Sequence, residues 1–166
     1  ELYISSSAIT QHYILKVGVD GMLAVFAGAG PEGASGDGGP APDALLDDPS
    51  HLAVDKDGTV CATMWVGNPP RSIVRCVAPD GTIDTALGTR TATCPAPIFC
   101  GEGWPAQMMH LWQGIPDIAF APDGDLVFTY PYDGDRIMRA APARPEPGGG
   151  DIVIPSSDGR LVYTFD

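Results

Sequence analysis

The stretch from Gly36 to Gly58, GDGGPAPDALLDDPSHLAVDKDG, constrains this 166-residue chain more than any other feature, because it returns later in altered form. Glycine, an acidic residue, glycine and then Pro-Ala recur as Gly101-Glu102-Gly103-Trp104-Pro105-Ala106. Leu46, Pro49 and Leu52 to Gly58 are echoed by Leu111, Pro116 and Ile118 to Gly124. Each copy reads as a polar Gly-rich loop, a short Pro-initiated helical turn that buries a Leu, a Pro, and an apolar run closed by Asp-Gly. With 21 Gly and 17 Pro in the chain, long helices are ruled out and the segments between these joints read as short strands and turns.

Taken in order, Leu2 to Ile4, Tyr13 to Val17 and Met22 to Ala27 are three β-rich runs, the last two joined by Asp20-Gly21. After a loop from Gly28 to Pro49, four runs follow: Leu52 to Val54, Val60 to Trp65, Ile73 to Val77 and Ile83 to Leu87. Asp57-Gly58, Gly67 to Pro70 and Asp80-Gly81 turn them into a four-stranded meander. A second loop, Gly88 to Pro116, leads to Ile118 to Phe120, Leu126 to Tyr130 and Arg136 to Ala140. Tyr13 and Val17 before Asp20-Gly21 superpose on Ile73 and Val77 before Asp80-Gly81, and Leu2 to Ile4 on Val60 to Ala62. Whole sheets therefore repeat, with a period of about 60 residues, longer than the usual blade because of both loops. The expected fold is all-β, a partial β-propeller of about three four-stranded antiparallel blades.

The pattern LxxPxxLAVDxDG, then the run from Ile73 to Gly88, then GDGGPA resembles the NHL repeat, carried residue by residue by Leu46 to Gly88 and Gly36 to Ala41. In that family each repeat is a propeller blade, usually six to a ring, and most members are binding scaffolds. The tail Ile154 to Asp166 resembles the entry into the RHS or YD-repeat shell of bacterial teneurin-like and RHS-toxin proteins. The resemblance divides the chain into blades over 1–141: an incomplete one at 1–27, a full one at 51–88 and an incomplete one at 117–141, with loops at 28–50 and 89–116. A Pro/Gly linker follows at 142–150, and 151–166 opens a further blade or an RHS/YD region. So few blades cannot close a ring and would leave sheet edges and apolar faces bare. The expected partners are therefore the remainder of a larger parent chain, or other chains that close the propeller.

Nine Lys and Arg against 21 Asp and Glu give a formal charge of -12, which repels phosphate backbones and anionic lipid, so neither nucleic acid nor membrane insertion is expected. If Trp65 pairs near Ser72 across the Gly67 to Pro70 turn, Cys61 falls opposite Cys76 and a cross-strand disulfide is possible. Two buried thiols are the equal alternative. Cys94 and Cys100 would staple the second loop. Disulfides imply a secreted or cell-surface protein. Neither pair has the C-x-x-C spacing of a zinc site.

Other motifs weaken on inspection. Gly28 to Gly33 is a literal G-x-G-x-x-G, but Pro31 and the glycines beyond it prevent the helix that would hold a pyrophosphate. Asp37, Asp43, Asp47 and Asp48 lack the order of a calcium loop; Asp37 reads more simply as a cap for the turn at Pro40, and Asp47 and Asp48 as solvated. His12, His51 and His110 are scattered. Lyase relatives of the propeller fold hold a metal at its centre, where His51 and Asp117 would stand at equivalent starts of innermost strands, giving an alternative reading as a metal-dependent lyase or hydrolase.

The second loop gathers Phe99, Trp104, Met108, Met109 and Trp112, more apolar surface than a soluble monomer usually exposes. It is read either as a plug or as the contact surface for a protein or glycan ligand. Trp65 and Tyr130 are assigned to packing. No cofactor is expected. The sequence is thus read as a non-enzymatic scaffold or binding segment of a large RHS/teneurin-like protein, or else as a stand-alone NHL module completed by oligomerisation.

Overall fold

A computed structural model describes residues 1–8, 10–89, 105–131, 136–142 and 160–164. The chain is all-β, in three antiparallel sheets. Strands β1 (Leu2–Ala8), β2 (Gln11–Val17) and β3 (Leu23–Gly30) form the first, in that order. The second contains β4 (Gly39–Pro40), β5 (Leu52–Val54), β6 (Val60–Val66), β7 (Arg71–Val77) and β8 (Thr82–Leu87), in the order β4-β8-β7-β6-β5. The third contains β9 (Ile118–Phe120), β10 (Leu126–Tyr130), β11 (Arg136–Pro142) and β12 (Arg160–Thr164), in the order β12-β11-β10-β9. Two single 3-10 turns, Ala41–Asp43 and Ala106–Met108, are the helices among the described residues. Among the described residues no sheet closes into a ring.

Two strands differ from the sequence expectation. Gly39–Pro40 adds a short fifth strand outside β8. Arg160–Thr164, expected beyond the third unit, pairs antiparallel with β11, so the segment read as incomplete at 117–141 has a fourth strand. In both cases the pairing partner is distant in sequence, so no local turn signal announces it.

Corner chemistry explains where the strands begin and end. At Asp20-Gly21, Asp57-Gly58, Asp80-Gly81 and Asp123-Gly124 the same turn forms: the glycine has φ of 78°, 94°, 87° and 91°, a region closed to most side chains. Each glycine N–H donates to the carbonyl three residues back, as Gly58 to Asp55 and Gly81 to Ala78 do at 3.0 and 2.9 Å. Asp20, Asp57 and Asp80 each accept the N–H of the residue two further on, at 3.0, 3.0 and 2.9 Å.

Sheets one and two share a register to fine detail. Leu2, Val17 and Leu23 stand side by side in one, Val60, Val77 and Ile83 in the other. Both carry a bulge in the pairing of their last two described meander strands, between Ile14 and Leu15 and between Val74 and Arg75. Just past it sit Gly28 and Gly88, at φ 105° and 85°. A Cβ on either would lie 2.4 Å from His12 O or 2.7 Å from Ser72 O.

The sheets stack face on face, with each interconnecting loop wedged between. The back of sheet one (Ile14, Ala27, with Tyr3 and Phe26) meets the front of sheet two (Ala62, Met64, Ile73, Val77, Ile83) across Ala41, Ala44 and Leu46. The back of sheet two (Cys61, Val74, Leu87) meets the front of sheet three (Leu126, Phe128, Tyr130, Met138) across Ala106, Met109 and Leu111. Being covered on both sides is why β6, VCATMWV, is apolar at nearly every position instead of alternating. The front of sheet one has no such cover: Leu2, Ile4, Leu23 and Val25 are 59%, 41%, 58% and 47% exposed. On the back of sheet three Ile137 is likewise exposed.

Candidate functional site

The Gly-Asp-Gly-Gly loop is held by a buried cation. Arg75, on β7, is fully enclosed and points into the first loop, where its Nε and Nη2 donate to Asp37 Oδ1 at 3.0 and 2.6 Å. Nη1 donates to Leu45 O at 2.8 Å and Nη2 to Ser35 O at 3.2 Å. Thr85 donates its hydroxyl to the other carboxylate oxygen at 2.8 Å. This corrects the reading of Asp37 as a cap: Pro40 is the cap residue and receives no side-chain bond. The carboxylate is drawn across the sheet because a buried guanidinium demands a charged partner.

Its neighbours in the acidic loop differ. Asp43 and Asp48 are exposed, but Asp47, expected to be solvated, is half-buried. Burial, with Glu32 nearby, pushes its carboxyl above 3.8, opposed by a bond from the Gly67 backbone. Asp48 has φ 45°, and its N–H donates to His12 Nδ1 at 3.1 Å. Glycines Gly28 and Gly30 of the G-x-G-x-x-G stretch end strand β3, and no α-helix follows.

The expected aromatic contact surface is divided. Phe99 and Trp104 lie outside the described residues, as do Cys94 and Cys100. Met108 and Trp112 are 44% and 47% exposed. Met109 is fully buried, which corrects its place in that surface. Its N–H closes the 3-10 turn onto Ala106 O, and its carbonyl accepts Thr89 N–H at 3.1 Å, so its side chain enters the core between sheets two and three. The Arg71 guanidinium stands 4.7 Å from the Trp112 ring centroid, and Trp112 N–H donates to Tyr130 Oη at 3.1 Å. Cys61 and Cys76 face each other across β6 and β7, with Cα atoms 4.0 Å apart, and are joined by a disulfide.

Between sheet two and the segment 114–116, the structure opens a cavity of about 420 Å³ that the sequence reading did not identify. One wall is Trp65, assigned to packing but 36% exposed. The segment 114–116 forms another: a Cβ on Gly114 would touch the indole at 3.4 Å. Polar groups line the cavity as well. Ser50 and Thr63 share a hydroxyl hydrogen bond of 2.7 Å, Thr63 Oγ1 accepts His51 N–H at 3.0 Å, and the His51 ring nitrogen Nδ1 lies 3.4 Å from it. Asp48 and Ser72 complete the rim, Ser72 donating its hydroxyl to Gln113 O at 2.9 Å. One signal for this site is present in the sequence: four residues separate Leu111 from Pro116 where two separate Leu46 from Pro49. The longer segment includes Gly114, against which the indole rests.

The metal reading finds no assembled ligands: among the described residues no three His, Cys, Asp or Glu side chains come together. His51 and Asp117 do occupy matching backbone positions, their carbonyls accepting Thr63 N–H at 3.0 Å and Thr129 N–H at 3.1 Å. No family model matches the sequence, and no curated protein matches it.

Proposed function

We propose that this chain is a non-enzymatic segment of an NHL-type β-propeller, a scaffold within a large secreted or surface-displayed protein of RHS/teneurin-like organisation, whose role is to hold and present contacts to other proteins or glycans. The observation that carries the reading is the bare front of sheet one. The positions matching Leu2, Ile4 and Leu23 in sheet two are Val60, Ala62 and Ile83, and all three are fully buried, Ala62 and Ile83 in the core shared with the preceding sheet and loop. A face built to the same plan calls for the same cover, the back of another sheet. The recurrence of turn, bulge and wedge in successive sheets supports units of one kind. The disulfide is compatible with an extracellular protein, as is the absence, among the described residues, of a helix long and apolar enough to cross a membrane.

Sedimentation and apolar-dye binding of the 166-residue chain test the proposal. The native chain should bind the dye or associate through this face, and Ile4→Lys with Val25→Lys should abolish both while leaving the circular dichroism unchanged. A monodisperse chain that binds no dye and is indifferent to the two substitutions would refute it.

A further inference from the structure

The cavity at Trp65 is assigned to no part of this scaffold role, and its chemistry is specific. Its volume, about 420 Å³, lies within the range of small-molecule sites, which combine apolar walls with a few convergent polar groups. Here the apolar wall is flat: the half-exposed indole of Trp65, backed by Gly114. The polar residues that line it with Trp65 are Ser50, Thr63, Ser72, His51 and Asp48, bearing hydroxyls, an imidazole and a carboxylate. The Ser50–Thr63 pair at 2.7 Å fixes the side chain of Ser50 at the rim, and Thr63 fixes the backbone of His51. Asp48, the one non-glycine residue at positive φ among those described, is held at the same rim by its bond to His12; strained backbone of this kind concentrates where a side chain must be aimed.

We infer that this cavity is a carbohydrate subsite that receives one neutral pyranose ring of a glycan, stacked on Trp65 with its hydroxyls turned to Ser50, His51 and Asp48. A pyranose presents a face of C–H bonds bordered by hydroxyls, each able to donate and accept. Indole offers a π face to the first, and the mixed donor and acceptor set of Ser, His and Asp suits the second. Anionic ligands are disfavoured by Asp48 at the rim and by the formal charge of -12. The site lies within sheet two and its adjoining loop, so it stands whether or not further sheets cover the outer faces.

The test uses the indole N–H signals of the 15N-labelled chain. Trp65, Trp104 and Trp112 give one signal each, assigned by substituting them one at a time. The probes are neutral trisaccharides of β-linked glucose, α-linked glucose, N-acetylglucosamine and mannose, with trigalacturonate and a mixed-sequence peptide pool as controls. At least one neutral trisaccharide should shift the Trp65 signal saturably. Trp65→Ala should abolish that binding, Ser50→Ala or His51→Ala should weaken it about tenfold, a change of about 1.4 kcal/mol, and Trp112→Ala should leave it intact. No shift with any neutral trisaccharide would overturn the proposal. So would binding that survives Trp65→Ala in a chain with unchanged circular dichroism, or a Trp65 response to trigalacturonate or peptide alone.

Discussion

A few side chains determine how the loops are held, and the pair Arg75–Asp37 is the most consequential. Residues 38 apart in sequence meet because Arg75 has no exposure of its own and takes all its partners from the first loop. Replacing Asp37 by Ala strands that charge; because the Asp37 side chain is itself 36% exposed, the loss should fall below the roughly 3 kcal/mol of a fully buried pair. A urea titration should show the midpoint falling with little change in slope. Nothing local to Asp37 announced this role: Gly-Asp-Gly-Gly reads as a turn whatever its carboxylate touches. Trp65 escaped for a related reason, since whether an indole in a strand is covered depends on a segment almost 50 residues away.

Carboxylates at the corners and in the loop respond to pH in opposite senses. The N–H of Thr59 and the N–H of Thr82, each with the hydroxyl of the same residue, hold Asp57 and Asp80 below 3.8. Their bonds therefore stabilise the fold above that value, and the contribution is lost as pH falls through the depressed folded value. Asp47 is raised by burial, so its ionised form is disfavoured in the fold: it contributes at low pH and the contribution is lost as pH rises through its elevated value. Asp47→Asn should raise the melting temperature at neutral pH and give no gain in acid. Asp57→Asn with Asp80→Asn should flatten the acid limb of the stability profile.

At the level of elements, the meander strands were legible because their signals are local. Asp-Gly fixes each corner through a glycine at positive φ and an aspartate that accepts from two residues on, and the apolar runs between corners do the rest. The pairings of β12 and of the short β4 were not legible, since each partner lies far off in sequence. Lys16, Cys76 and Arg139 stand at matching positions of their sheets, one residue from the matched Val17, Val77 and Ala140, and each carries a tie: Lys16 to Glu1, Cys76 to Cys61, Arg139 to Asp123 and Asp125. The second tie is covalent and closes a separation of 15 residues, for which loss of the crosslink costs roughly 3 kcal/mol. Reductant, or Cys61→Ala with Cys76→Ala, should lower stability by that amount. The exposed ionic tie of the first sheet should instead weaken with added salt, and that of the third, where Asp125 is buried, much less.

For the whole molecule, the governing fact is that front and back faces differ and always meet front to back. Such a contact is heterologous, and an object whose two ends are complementary but not identical has a direction, like a link in a chain. Copies joined through it either return on themselves after a fixed number or continue without limit. Two-fold dimers have no place in that scheme. Ile4→Lys spoils one end and spares the other, so the altered chain can still add to a growing assembly at its intact face but offers nothing for the next to join. Mixed with native chain at substoichiometric amounts, it should act as a terminator and shorten open assemblies in light scattering. It should have far less effect on assemblies that are already closed.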